Sequence, residues 1–467
     1  MSYNFSQNGY SNGLRLLVLF SLMGIIWSCN QSTKKIAPEN RVLNKELLGE
    51  ICDSIYKAYN LPGLGIAVRF GEDEFVFSKG IADKRLSLPI TDSTLFYMGS
   101  FSEVPMTLAM MQLVESGKVD LDIPFKEYIP YLDKDFEGVR PNIHHLLSHT
   151  SGIEDTSTSW DDISYEVDEL EMTSKSIAGL PLLFAPGSKR TWCGYGFDIL
   201  ADIMQKTTEQ KFEHLLDSLV FRPMKLEDAT FEVRKLATNK LAKPQVKQNY
   251  LAYTYENANF YPYARENAGS HGFHSSLSDM LKFFKELIEV RDDSTHFDKE
   301  GLFKKQYQTS TDTYSAYGWQ VLKIFNLYLY EHSWRHGGFS GSILIEPSNG
   351  FALVVVTNTI SEFIPATFTY NFWKNIVEGE KMEIKPPYQI VMSKQINEGK
   401  TINEVLEGFE LENNTKESVY TISPEILAGL HSNLVWEQKK ESANVLKEYI
   451  REKHPKVYKL IEPPPID

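Results

Sequence analysis

Apolar residues follow strand-like and helical patterns along this chain, and the strand patterns lie towards the two ends of its body. Residues 64–70 and 74–79 predict two strands, and Gly71-Glu72-Asp73 predicts the turn between them. Apolar spacing in residues 43–59 and 106–116 predicts helices. Further strand patterns lie at 317–322, 327–332, 342–346 and 352–357. This order predicts an α/β (α+β) fold, in which one antiparallel sheet is flanked by helices and carries a helical subdomain.

The first thirty residues have a different pattern. Residues 14–27 are almost unbroken apolar, a length that suits the core of a secretory signal better than a membrane span. The run ends Ile26-Trp27-Ser28-Cys29, which resembles a bacterial lipobox, where the signal is cleaved and the cysteine is lipidated. The alternatives are an ordinary signal peptide or a short uncleaved anchor. We expect an exported protein of the bacterial cell envelope, held at a membrane by a lipid on Cys29.

The end of the chain is rich in charged residues with helical spacing. Ser423-Pro424 opens a predicted helix to about residue 437, and residues 442–452 predict a second, closed by Pro455. The pair resembles one tetratricopeptide repeat, which cannot bury its faces alone and is expected to pack on the body or on a partner protein. We divide the chain into a lipoprotein signal (1–28), a tether (29–43), a body (44–384) and a helical C-terminal extension (388–467).

Composition excludes several classes of protein. The 467 residues include 48 Lys and Arg against 62 Asp and Glu, a net charge of −14, and 42% are hydrophobic. This is a globular balance, and the acidic charge argues against a nucleic-acid partner. Three cysteines are too few for a disulfide scaffold or a four-cysteine zinc module. We expect no cofactor.

Several segments resemble one family when they are taken together and in order. The resemblance is to the serine β-lactamase and penicillin-binding-protein family, in the branch of class C β-lactamases, D-alanyl-D-alanine peptidases and related esterases, and it covers roughly residues 45–375. The segments are Gly99-Ser100-Phe101-Ser102-Glu103, then 111–121, His145-Leu146-Leu147-Ser148-His149-Thr150-Ser151-Gly152, Gly272 to Phe283, and His336-Gly337-Gly338.

The resemblance implies acyl transfer through Ser100. In the family, a Lys three residues after the serine acts as its base, and the Tyr of a Tyr-x-Asn motif shares the proton transfer. The third motif, Lys- or His-x-Gly, lines the opposite wall on an edge strand. By resemblance, His336 and Gly338 belong to this motif and contact the ligand. The backbone N–H groups of Ser100 and Phe339 would form the oxyanion hole.

The chain departs from this pattern at the residues that carry the chemistry. Glu103 stands where the family has its Lys, and Trp192-Cys193-Gly194 stands where it has Tyr-x-Asn. A carboxylate ~4 Å from a developing oxyanion would oppose it by about 4 kcal/mol at an effective dielectric constant of about 20. We therefore expect impaired catalysis, and a cleft that binds a small peptide, a peptidoglycan fragment or an ester.

Two other functions stay open. The protein could be an active esterase or peptidase in which Glu103 has a raised pKa and serves as the base for Ser100. It could also be a scaffold that recruits a partner through its C-terminal helices.

Other side chains suggest chemistry by their type alone. Cys193 could act as a nucleophile with His336, although a buried replacement of a lost serine is the simpler interpretation. The family signature accounts for His144, His145 and His149, so we expect no metal site there. His271 and His274 are expected in a loop that faces the cleft.

Overall fold

The computed structural model describes residues 41–155, 170–233, 238–288, 302–415 and 417–461. The predicted signal, Cys29 and most of the tether lie outside the described residues. Within the described ranges, every helix is too short or too polar to span a membrane.

The body is built on one large antiparallel sheet with the strand order β3-β2-β1-β13-β12-β11-β10-β9-β8. The pairs β4–β7 and β5–β6 form two small additional sheets. The strands are β1 Gly63–Phe70, β2 Asp73–Asp83, β3 Leu88–Pro89, β4 Phe96–Tyr97, β5 Gln245–Asn249, β6 Thr254–Asn257, β7 His274–Ser275, β8 Tyr307–Ser310, β9 Thr313–Ala316, β10 Trp319–Ile324, β11 Leu327–His336, β12 Phe339–Glu346 and β13 Phe351–Thr357.

The sheet joins segments that are almost 300 residues apart. Strand β1 pairs with the distant β13 as well as with its neighbour β2, with Gly65 opposite Val356 and Phe70 opposite Phe351. The predicted antiparallel sheet built from both ends of the body is therefore confirmed. Strand β11 extends four residues beyond the predicted 327–332, so that His336 lies at its end.

Helices cover both faces of this sheet and form the end of the chain. They are α1 Lys45–Ala58, α2 Glu103–Glu115, α3 Ile143–Leu147, α4 Glu171–Ser176, α5 Tyr195–Thr208, α6 Phe212–Leu216, α7 Ala268–His271, α8 Leu277–Ile288, α9 Pro365–Trp373, α10 Tyr388–Asn397, α11 Ile402–Asn413, α12 Ile426–Trp436, α13 Lys440–Lys453 and α14 Pro455–Ile461. The predicted helices at 43–59 and 106–116 correspond to α1 and α2.

The two faces of the sheet belong to two hydrophobic cores. Residues Leu64, Ile66 and Val68 of β1 join α1 and α9 in one core, whereas Ala67 faces the larger core that contains α2, α5 and α8. This alternation is the period of two expected for a strand that is covered on both sides. The larger core also holds Phe101, so the segment that carries Ser100 rests on packed apolar residues.

The C-terminal extension has a core of its own and packs on the body. Helices α10 to α14 share that core with Leu251, which comes from the turn between β5 and β6. The rings of Tyr250 and Trp436 stack at 5.7 Å, and the Tyr250 N–H donates to Glu437 at 2.6 Å. Pro455 begins α14 rather than closing the preceding helical pair, because proline is tolerated in the first turn of a helix.

Candidate active site

Ser100 lies on a short 3₁₀ turn, Gly99–Ser102, that leads directly into α2. Gly99 has φ +53°, and a Cβ added to it would lie 2.6 Å from Cδ1 of Trp334. Ser102 Oγ donates to the Gly99 carbonyl at 2.6 Å and accepts from the Phe273 N–H at 2.9 Å. These contacts fix the turn against the sheet and leave the Ser100 side chain in a defined position, 8% exposed.

One face of β11 runs along the segment that contains Ser100. Alternate residues of a strand share a face, so His332, Trp334 and His336 point the same way. His332 Nε2 lies 2.9 Å from Ser100 Oγ, and His336 Nδ1 lies 2.8 Å from the hydroxyl of Tyr97. The histidine of β11 that faces Ser100 is therefore His332.

This placement differs from the one the sequence suggested for the third motif. His336 stands four residues further along β11, about 13 Å at the rise of a strand. In the sequence, the glycines that follow His336 indicate the third motif, whereas His332 is followed by Ser333 and Trp334. The alternation of His332 and His336 on one strand face was the signal that could have pointed to both.

The two glycines after His336 form a turn. Gly337 and Gly338 have φ values of +60° and +80° and connect β11 to β12, with Phe339 directly opposite His336. A Cβ on Gly338 would lie 2.5 Å from Pro244. The ring of Phe339 is buried beside Tyr97, with 5.6 Å between the ring centroids. The structure thus groups His336, Gly338 and Phe339 at the end of the β11–β12 hairpin.

His332 is held on its far side by the backbone. Its Nδ1 lies 2.7 Å from the carbonyl oxygen of Gly318, and its ring meets Phe101 edge-on at 5.8 Å. Burial lowers the pKa of His332, and although Glu103 and the Gly318 contact act in the opposite direction, the pKa stays below its usual value. The imidazole is therefore neutral at neutral pH.

Glu103 begins α2, is buried, and accepts hydrogen bonds from two N–H donors. Its Oε1 accepts from Trp192 Nε1 at 2.9 Å and its Oε2 from His149 Nε2 at 3.1 Å. His149 Nδ1 in turn accepts from the Cys193 N–H at 3.3 Å, which leaves the ring proton on Nε2. Within the described ranges, the hydrogen-bond partner of Ser100 Oγ is His332 and not Glu103.

The surroundings of Glu103 favour its ionised form. Burial raises the pKa of the carboxyl group, but His149 and the Trp192 N–H, which both donate to it, lower it, and the resulting pKa lies below the usual range. Hydrogen bonds to a charged acceptor of this kind are about twice as strong as neutral ones. Glu103 is therefore a carboxylate with both oxygens occupied, which does not favour the idea of a base with a raised pKa.

Trp192 and His271 fill the space around Gly194. A Cβ on Gly194 would lie 3.2 Å from Trp192 and 3.4 Å from His271, whose rings meet edge-on at 5.9 Å. An asparagine, which the resemblance expects at this position, would require the rings of Trp192 and His271 to shift. The changes at 192 and 194 are therefore coupled by packing.

His271 continues the ring contacts towards β11. Its ring centroid lies 4.5 Å from that of His336, and its Nδ1 lies 2.7 Å from Ser270 Oγ, which also donates to buried Asp198 at 3.1 Å. Burial lowers the pKa of His271 to about 4. His271 contacts Trp192 and His336 but ends α7, and His274 is fully buried in β7, so the prediction that both lie in a loop was wrong.

The remaining candidate residues have separate partners. His144 Nδ1 lies 2.6 Å from the hydroxyl of Tyr317, and His145 forms a capping box with Asn142 at the start of α3. Cys193 is buried and burial raises the pKa of its thiol, which keeps it protonated at neutral pH. A thiol in that state is a poor nucleophile.

Comparison with known sequences places these features in a wider group. Residues 48–363 match the profile of the Beta-lactamase family. Esterase EstB of Burkholderia gladioli is 30% identical over 199 residues, which are 39% of this chain and 50% of the esterase. The β-lactamase of Escherichia coli K12 is 24% identical over 56% of this chain and 66% of its own length. The matched part of the chain thus spans half of the esterase and just under two thirds of that β-lactamase.

Two solved structures share the fold. The octameric penicillin-binding protein homologue from Pyrococcus abyssi superposes with a TM-score of 0.63 at 21% identity, covering 77% of this chain and 82% of that one. The penicillin-binding protein from Bacillus halodurans gives a TM-score of 0.58 at 22% identity, covering 66% and 95%. The mixed architecture with its large antiparallel sheet is therefore common to all three proteins.

Proposed function

Because the chain belongs to the β-lactamase family of serine hydrolases, we propose that it is an envelope protein that binds acyl ligands beside Ser100 and lacks the family's own proton relay. The ligand class is a small peptide, a peptidoglycan fragment or an ester. The protein is proposed to hold such ligands, with little or no turnover of amides, at a membrane to which Cys29 anchors it.

The observation that carries this proposal is the closed group formed by Glu103, His149 and Trp192. In the family, a Lys and a Tyr occupy the positions of Glu103 and Trp192, and their side-chain nitrogen and oxygen atoms exchange protons with the serine. Here the indole N–H of Trp192 donates a hydrogen bond to the carboxylate of Glu103 at 2.9 Å. Proton transfer by this wall would require breaking two hydrogen bonds to a buried charge, each worth about 1.5–3 kcal/mol.

The proposed ligand class is based on the names of the similar proteins. An esterase, a β-lactamase and a penicillin-binding protein of Amycolatopsis lactamdurans are among the similar sequences. Their names refer to esters, lactams and penicillin, all of which present an acyl carbonyl. This supports an acyl ligand for Ser100 without choosing among those compounds.

Ligand binding is testable with a fluorescent penicillin and a peptide ending in D-alanyl-D-alanine. Full-length protein in detergent is titrated by fluorescence polarisation, and intact mass is recorded in parallel. We expect saturable binding that survives in Ser100→Ala, and no hydrolysis of the penicillin over hours. Rapid opening of the lactam ring, dependent on Ser100, would contradict the proposal.

The lipid anchor is a separate prediction. Metabolic labelling with an alkyne fatty acid is expected to mark the wild-type protein in its native host, and Cys29→Ala is expected to remove the label and release the protein from membranes. A label that persists in Cys29→Ala would place the anchor elsewhere.

The proposed partner at the C-terminal helices rests on exposed apolar side chains. Leu411, Val435 and Trp436 are at least half exposed although their helices share a buried core. A partner that crosslinks to this surface in envelope membranes, and is lost with Val435→Lys but not with Val42→Lys at the exposed end of the tether, would support a scaffold role.

A further inference from the structure

The contact between Ser100 and His332 points to a reaction that the family relay does not provide. We propose that Ser100 is acylated by esters with activated leaving groups, and that His332 is its general base. This inference rests on the proposed function, because it requires that the cleft admits an acyl ligand.

The hydrogen-bond pattern fixes which nitrogen of His332 can accept a proton. The Gly318 carbonyl oxygen can only accept a hydrogen bond, so the 2.7 Å contact requires the proton on Nδ1. Nε2 then carries a lone pair, and it lies 2.9 Å from Ser100 Oγ. A nucleophile, a base within hydrogen-bond reach and a third group that orients the base are the arrangement expected for nucleophilic catalysis.

The third group is itself held in place. Gly318 has φ +75°, a value that favours glycine, and a Cβ there would lie 3.1 Å from Val104 and 3.3 Å from the backbone of Glu103. Gly318 is therefore packed against the first turn of α2, the helix that follows the Ser100 turn. The three groups come from the Ser100 turn, from β11 and from the turn between β9 and β10.

The charge of Glu103 suits a histidine base. When His332 takes the serine proton it becomes a cation, and the carboxylate of Glu103 stabilises that cation, while His149 and Arg190 oppose it. A Lys at position 103 would oppose the cation as well. The exchange of Lys for Glu thus removes one base and favours protonation of another, although the same carboxylate disfavours the oxyanion.

Each step of the reaction balances. Ser100 Oγ attacks the ester carbonyl, the Oγ–C bond forms, and the serine proton passes to His332 Nε2. The bond from the carbonyl carbon to the leaving oxygen then breaks, and the alcohol or phenol leaves with that proton. Water attacks the acyl group in the same way, which releases the acid and restores Ser100 and neutral His332.

Esters are favoured over amides for a chemical reason. An amine leaves only after its nitrogen has been protonated, whereas a phenolate leaves readily without help. The Lys and Tyr that share this proton transfer in the family are replaced here by Glu103 and Trp192. We therefore expect the reaction with p-nitrophenyl esters and not with peptide bonds.

The experiment measures acylation of the full-length protein in detergent by p-nitrophenyl butyrate and by a fluorophosphonate. Release of p-nitrophenol and the mass of the acyl adduct are followed for wild type, Ser100→Ala, His332→Gln and His332→Asn. The matched control is His214→Gln, on the exposed side of α6. We expect no adduct in Ser100→Ala, rates about 10²- to 10⁴-fold lower in both His332 variants, and an unchanged rate in the control.

The pH profile separates a base from a merely structural histidine. The wild-type acylation rate should be flat through neutral pH and fall at acidic pH as His332 is protonated, and the residual rate of the His332 variants should lack that step. Melting curves establish that every variant is folded. Adduct formation at the wild-type rate in folded His332→Gln, or none in folded wild type, would overturn the inference. If folded wild type forms no adduct but still binds penicillin, the proposed function stands without this inference. If it does not bind penicillin either, the proposed function is contradicted as well.

Discussion

The two walls beside Ser100 use their polar side chains in opposite ways. On the wall that begins at α2, called here the helical wall, the carboxylate of Glu103 is hydrogen-bonded to Trp192 and His149. On the sheet wall, His332 is anchored by backbone on one side and meets the serine hydroxyl on the other. The helical wall thus holds a carboxylate whose two oxygens are already hydrogen-bonded, whereas the sheet wall holds a histidine within hydrogen-bond distance of Ser100.

The difference between the two walls is tested most strongly by placing the family's lysine at position 103. Glu103→Lys would place an ammonium group against two N–H donors in a buried position. We expect a loss of about 3–5 kcal/mol in the free energy of unfolding, and no gain of lactam hydrolysis. Urea denaturation followed by tryptophan fluorescence measures the change.

The control for that variant lies on the same helix. Glu115→Lys changes the same charge on the exposed last turn of α2, where a cation also favours the helix dipole. We expect a change within about 0.5 kcal/mol. If Glu103→Lys were as stable as Glu115→Lys, the helical wall would not be the closed group described above.

Acid should destabilise the protein through His274, a buried histidine on β7. His274, fully buried, bonds to Tyr261 and packs against Tyr97, and burial lowers its pKa to about 4. Between pH 6.5 and about 4 the unfolded chain binds a proton that the folded chain does not, so stability is full above this window and falls as the pH falls. The shift corresponds to about 3 kcal/mol.

His274→Gln should remove this part of the acid sensitivity. The glutamine can still bond to Tyr261, and we expect the loss of stability between pH 7 and pH 4 to shrink by up to about 3 kcal/mol relative to wild type. Denaturation curves at both pH values give the result, with exposed His214→Gln as the control. An unchanged pH dependence in His274→Gln would mean that folding does not shift the pKa of His274.

The smallest expected effect comes from removing a single donor on the helical wall. Trp192→Phe deletes the N–H that bonds to Oε1 of Glu103 and keeps most of the ring. We expect a loss of about 2 kcal/mol in the free energy of unfolding, because the acceptor is charged and buried. If the two walls act separately, acylation of Ser100 by p-nitrophenyl butyrate should change less than about tenfold. A larger drop in folded protein would show that the walls are coupled.

Much of the fold could be predicted because it rests on local patterns. The periods of β1, β13 and α2 are clear in the sequence, and their order predicts an antiparallel sheet closed by distant segments. Position 103 was likewise evident from ungapped spacing after Ser100. Such features depend on residues that are close in sequence or on a repeated period.

The rest depends on contacts that no local pattern encodes. His149 belongs to a recognisable sequence segment, but only the fold brings its Nε2 to Glu103, 46 residues away. His332 was missed because β11 is four residues longer than its apolar pattern, which moves His336 away from the serine. In His332-Ser333-Trp334, a tryptophan stands where the Lys- or His-x-Gly pattern of the third motif has a glycine, which further obscures the resemblance.

The closed group around Glu103 also bears on how such a site can change over generations. Any single reversion, whether to Lys at 103 or to Tyr at 192, meets neighbours that have adapted to the present residues, including the tight space at Gly194. A Lys and Tyr relay of the family's kind is expected to form here only through several substitutions, the first of which would destabilise the protein on its own. Such a substitution becomes entrenched, and descendants of this lineage are expected to vary elsewhere in the cleft while positions 103, 149 and 192 change together or not at all.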